Sequence, residues 1–102
     1  MAKLIALYNK PADATAFDAH YFDRHVPLAK TIPGLRRYEV SAGAVMTPQG
    51  EAPLHLVALL EFDSVPAIQA AMASPEGIAT AADLANFAQA GVQLLIFDSK
   101  TV

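Results

Sequence analysis

The sequence predicts an α+β fold, a four-stranded antiparallel sheet with helices on one face. Three observations lead to it. Four short apolar segments stand out: Lys3–Tyr8, Leu35–Val45, Leu54–Phe62 and Val92–Phe97. Segments of helical period follow the first and the third. A loop with two prolines and a glycine, Met46–Pro53, joins the second to the third. The order is β-α-β-β-α-β, the ferredoxin-like split arrangement, and 102 residues make one domain, 1–102.

Each element has its own warrant. "KLIALY" is apolar at every position but the first, so it reads as a strand buried on both faces. Asp13 is an N-cap for a helix from about Ala14, with Phe17, Tyr21, Arg24 and Leu28 on one stripe. Pro27 breaks or restarts that helix, and "TIPG" is a turn. In Leu54–Phe62 the set Leu56, Ala58, Leu60 and Phe62 is wholly apolar and faces the helices. The alternate set, His55, Val57, Leu59 and Glu61, has polar ends and an apolar middle. Ser64 caps a second helical segment. In "SPEG", Ser74 caps a further one, with Pro75 in its first turn and Glu76 favoured by the helix dipole. That helix runs to about Gln89, and Gly91 ends it. In the last strand Leu94 and Ile96 serve the core; in the second, Tyr38 and Val40 do.

Helices on one side leave the other sheet face uncovered. Val57, Leu59, Leu95 and Phe97 fall on that face. Leaving them in water costs about 25 cal/mol per Å². A two-fold homodimer, sheet against sheet, removes the cost and encloses a mixed apolar and polar cavity suited to a small organic ligand.

Composition narrows the classes. There are no cysteines, so disulfides and thiol catalysis are excluded. The net charge is −3 and the only positive pair is Arg36–Arg37, which argues against nucleic acid as a partner. No apolar run is long enough to span a membrane, and "MAKLIALYNKP" reads as a strand and not a signal peptide. A cytoplasmic protein is the default expectation.

The chemistry concentrates in "FDAHYFDRHVP", Phe17 to Pro27. His25 sits at the C-terminal end of its helix. A cationic imidazole is favoured there on structural grounds alone, and an ordinary pKa of about 6.5 also suits a general base or acid. His20 reads as a partly exposed helix residue. His55 enters the half-polar sheet face, from which it can reach a cavity. On an α-helical wheel His20 and His25 point about 140° apart, which is poor for shared chelation. No metal and no cofactor are expected. Tyr21 lies on the apolar stripe and needs a hydroxyl partner if buried.

The stretch "FDAHYFDRHVPLAKTIPGLRRYEV" resembles the EthD family of small dimeric α/β-barrel proteins. Phe17, Tyr21, His25, Pro27 and the "PGL" of Pro33–Leu35 match that family's pattern in order. "SPEGIATAADLANFA" resembles its second characteristic segment, through Asp83, Asn86 and Phe87. The resemblance covers nearly the whole chain. It implies a ferredoxin-like homodimer packed sheet to sheet, with a pocket near His25. Similar barrels include cofactor-free lactone isomerases, polyketide cyclases, dehydratases and quinone-forming monooxygenases, and fold alone does not choose among them.

The expectation is a small-molecule enzyme. His25 is catalytic and transfers a proton; Tyr21, Arg24 and His55 bind or orient an apolar, oxygenated or aromatic ligand. Two alternatives stand beside it. One is a non-catalytic binder accessory to an oxygenase; the other is a structural or regulatory homodimer with a filled barrel.

Overall fold

The computed structural model describes residues 1–102. Strands β1 (Ala2–Asn9), β2 (Arg37–Val40), β5 (Leu54–Phe62) and β6 (Val92–Asp98) form one sheet in the order β2-β5-β1-β6, with every pair antiparallel. The helices are α1 (Ala14–His20), a π-helical turn (Tyr21–His25), α2 (Val26–Ala29), α3 (Val65–Ala73) and α4 (Pro75–Phe87). This is the ferredoxin-like fold that the element order predicts.

The caps sit where the sequence places them. Asp13 Oδ1 accepts the Ala16 N–H at 3.0 Å, and Ser64 Oγ accepts that of Ala67 at 3.1 Å. Ser74 joins two helices with one hydroxyl. It donates to the Ala71 carbonyl at the end of α3 and accepts the Gly77 N–H at the start of α4. The corner is tight: a Cβ on Gly77 would lie 2.1 Å from the Ala71 carbonyl oxygen.

The core lies between sheet and helices. Leu56, Ala58, Leu60 and Phe62 of β5 are buried there, as are Ala2, Leu4, Ala6 and Tyr8 of β1. Tyr38 and Val40 pack against them from β2.

Five readings need correction. β1 is buried on one face only, because Lys3, Ile5 and Leu7 are half-buried on the open face. Leu94 and Ile96 do point to the helix side, opposite Ala6 and Leu4, but they are 47% and 46% exposed. β6 is the edge strand, and α3 gives it little cover. The second strand spans Arg37–Val40 and not Leu35–Val45. Part of the predicted loop forms a small hairpin of β3 (Met46–Thr47) and β4 (Gly50–Glu51). α4 stops at Phe87, short of Gln89, and Gly91 at φ 107° turns the chain into β6.

The pairing of β1 with β5 shifts between Tyr8 and Asn9. Tyr8 faces Leu56 and Asn9 faces Leu54, so His55 is the extra residue of a β-bulge. The bulge turns its ring away from the expected open face and onto α1. His55 meets Phe17 edge to face at 4.8 Å and bonds Asp18 through Nε2 at 2.7 Å.

Gly77→Ala should destabilise the protein by about 1–3 kcal/mol, although alanine is the better helix former. The added methyl has only backbone to displace. Urea unfolding of the two proteins checks this, and an unchanged midpoint would contradict the tight corner.

Candidate active site

The helical segment after Asp13 is not regular. At Tyr21–His25 it widens into a π turn, where the Val26 N–H reaches back to the Tyr21 carbonyl. Such single-turn insertions are rare and recur at functional sites. This one changes which residues share a face. His20 and His25, far apart on an α-helical wheel, both turn toward α4.

Asp83 of α4 receives them. His25 Nδ1 lies 2.9 Å from its Oδ2. His20 Nε2 lies 2.9 Å from Oδ1 and 3.1 Å from Oδ2. Asn86, one turn on, donates its amide to Oδ1 at 3.0 Å. Phe87 completes the clamp: His20 stacks on it at 5.2 Å, and His25 packs against it at 4.7 Å. Asp83, Asn86 and Phe87 thus share one face of α4 through i, i+3 and i, i+4 spacing.

Burial acts to raise the Asp83 carboxyl, but the bonds from Asn86, His20 and His25 outweigh it and hold it below the usual carboxylate range. An ionised carboxylate can only accept, so the imidazole nitrogens facing it carry the protons. That leaves His25 Nε2 with its lone pair. This atom makes no hydrogen bond within the chain, and it is not sealed from solvent. Burial lowers the His25 pKa from 6.5; Asp83 opposes this without reversing it. The imidazole is therefore neutral near pH 7.

His25 borders a cavity of about 60 Å³ between the sheet and the helices. On the sheet side Ala6 and Ala58 are paired directly, between the larger Leu4, Tyr8 and Leu60. Gly77, Thr80 and Ala81 of α4 contribute to the other side. Half-exposed Leu94 of β6 also lines it. The polar groups at the wall are few. Tyr21 and Tyr38 share a hydrogen bond between hydroxyls at 2.5 Å, and Tyr8 lies beside them. Burial raises the pKa of all three phenols, so they stay protonated.

The structure thus brings two of the four expected site residues, His25 and Tyr21, to one cavity. Arg24 is exposed and borders a different, outward cleft with His20 and Asp83. His55 lies at a third place, a groove with Asp18 and Ser41 beside the β3–β4 hairpin. The cavity also lies on the helix side of the sheet, not between two sheets. The sequence reading of the site does not include Asp83, Tyr8 or Tyr38. The "NF" segment already pointed to Asp83. The two tyrosines offered no signal beyond alternation within their strands.

The comparisons agree with this fold. The EthD domain model matches residues 9–91. An uncharacterised 11.0 kDa protein of Rhodococcus erythropolis, in the thcB–thcC intergenic region, is 44% identical over 100% of this chain and 98% of its own length. The chain belongs to the EthD family. A crystal structure of an EthD-family protein from Bacillus halodurans is 40% identical, with a TM-score of 0.90 over 98% of this chain and 99% of the other. A cofactor-independent oxygenase from Streptomyces nogalater, SnoaB, shares the fold at 15% identity, with a TM-score of 0.68 over 99% and 94% of the two chains.

The two depressed pKa values have the same sign. In both cases the unfolded chain binds protons more readily, so stability falls as pH falls. The His25 contribution is complete above about pH 6.5 and is lost on acidification through its lower folded value. The Asp83 contribution is lost further down, below about pH 4. Urea unfolding across this range should show both declines. His25→Gln should flatten the first, while the bonds from Asn86 and His20 to Asp83 keep the second.

Proposed function

We propose that this protein is a small-molecule enzyme that moves a proton on an apolar, oxygen-bearing ligand, without a cofactor. One observation carries the reading. His25 is held by Asp83 as the Nδ1–H tautomer, which leaves Nε2 without a partner, and the residue lines an apolar cavity. A neutral imidazole oriented by a carboxylate is a general base, and such a group supplies about 10²- to 10⁴-fold.

The remaining groups fit the same step. Proton abstraction next to a carbonyl or on a phenol leaves negative charge on oxygen. Within the Tyr21–Tyr38 pair one hydroxyl donates to the other, and the accepting hydroxyl keeps a proton for the ligand oxygen. Donors aimed at developing charge in a dry site are worth far more than in water. With about 60 Å³ available, the cavity takes the reacting end of a ligand. The rest of the ligand lies outside it. Arg24 and His55 do not face this cavity, and neither takes part in the proton transfer.

The open sheet face supports a homodimer. Leu95 and Phe97 are 41% and 43% exposed, and Ile5, Leu7, Val57 and Leu59 lie half-buried beside them. Lys3 and Glu61 pair across the same face. Sheet-to-sheet packing of two copies covers this surface and leaves both His25 cavities on the outer, helical sides. Val57→Glu should convert the dimer to a folded monomer, read by sedimentation. A wild type that sediments as a monomer at micromolar concentration would refute the pairing.

Thermal shift against phenolic, quinone, lactone and ketone metabolites tests the chemistry. A ligand at about 100 times its Kd adds about 2.7 kcal/mol. Ala58→Val, which adds methyl groups to the cavity floor, should remove the response of wild type. In D₂O, wild type should exchange deuterium into the bound ligand, and His25→Gln should bind without exchanging. Binding with no exchange by wild type would favour the accessory binder instead.

A further inference from the structure

The reaction proposed above leaves His20 unused, yet His20 is built into the same clamp. Its Nε2 spans both oxygens of Asp83, and its ring is stacked on Phe87 at 20° between planes. A lone imidazole on the helix surface needs neither contact. His20 and His25 differ in access. His25 is 5% exposed. His20 is part-buried and borders two outward clefts, one with Arg24 and Pro27, the other with Pro11 and Gln89. Bulk solvent therefore reaches His20 more freely than His25.

We propose that His20 is a positioning residue for His25, acting through Asp83. It holds the carboxylate so that Oδ2 stays on His25 Nδ1, which keeps the lone pair on His25 Nε2. The proposal rests on His25 being the base of the cavity. The geometry supports it because two imidazoles contact one anion that is 8% exposed. Asn86 shares the load on Oδ1 and leaves Oδ2 to the imidazoles.

The other groups around His25 do not change charge near neutrality. Tyr8 on β1, Tyr21 on the π turn and Tyr38 on β2 are held protonated by burial. Arg24, which borders the outer cleft, is a permanent cation. Asp83 is the one carboxylate on α4 that meets the imidazoles, and it stays ionised well below neutral pH. The tautomer of His25 is therefore set by Asp83 and by the groups that hold Asp83 in place.

The test is imidazole NMR on ¹⁵N-labelled protein between about pH 5 and 8.5, with no ligand added. In wild type, the His25 shifts should report the Nδ1–H tautomer. That tautomer should persist in His20→Gln, which keeps an amide donor for Asp83, and weaken in His20→Ala. An unchanged tautomer in His20→Ala would overturn the proposal. Should His20→Ala not fold, His20→Leu, which keeps bulk against Phe87 but donates nothing, makes the same comparison. Failure here is separable from failure of the functional reading. If His25→Gln abolishes exchange into ligand but the tautomer survives in His20→Ala, only the role of His20 falls. If the tautomer weakens but His25→Gln still exchanges ligand protons, both fall.

Discussion

A single buried carboxylate organises the helical layer of this protein. Asp83 accepts two bonds from His20, one from His25 and one from Asn86. Through them α4 is tied to both ends of the π turn, and so to α1 and α2. A carboxylate out of water is tolerated only when its oxygens are satisfied, and removing one partner of such a pair typically costs several kcal/mol. The arrangement also has a chemical result. Because Asp83 is an acceptor and nothing else, it selects the tautomer of His25. The same bonds that dock α4 therefore decide which imidazole nitrogen of His25 keeps its lone pair.

The cavity follows from side-chain size. Most of the sheet's inner face is closed by large residues, such as Tyr8, Leu56, Leu60 and Phe62. Ala6 and Ala58 interrupt them at directly paired positions. Opposite lies the first part of α4, where Gly77 is forced by its approach to the Ala71 carbonyl, with Thr80 and Ala81 one turn on. Small residues on both layers leave a void where a denser core would be more stable. The surrounding aromatic cluster supplies rigidity. Tyr21 contacts Tyr8, Phe17 and Phe87, with ring centroids 5.6 to 5.9 Å apart. A soft wall would collapse into such a space; packed aromatic rings resist it.

The two faces of the sheet consequently have different tasks. The inner face carries the core and the tyrosine hydroxyls. The outer face carries aliphatic side chains with an ion pair near its end, a composition suited to burial against a second copy. β6 belongs to both faces, since all four of its central apolar residues are nearly half exposed. No helix of the protein is long and apolar enough to cross a membrane.

Local chemistry was legible in the sequence. Asp13, Ser64 and Ser74 marked helix starts because capping needs a particular side chain at a particular position. Alternation in Leu56–Phe62 marked the buried sheet face because strand period is two. The family resemblance marked His25 and the Asp83–Phe87 segment. The tertiary structure decided what those residues do. Wheel geometry separates His20 from His25, and only a π turn, stabilised by packing against α4, brings both to Asp83. His55 alternates with its neighbours in sequence, but a bulge, which exists only in the pairing of two strands, redirects it to α1. The exposure of Leu94 and Ile96 likewise depends on how far α3 and α4 extend over an edge strand. Caps and periodicity are properties of neighbouring residues; a shared carboxylate, a bulge and a cavity arise between segments distant in the chain.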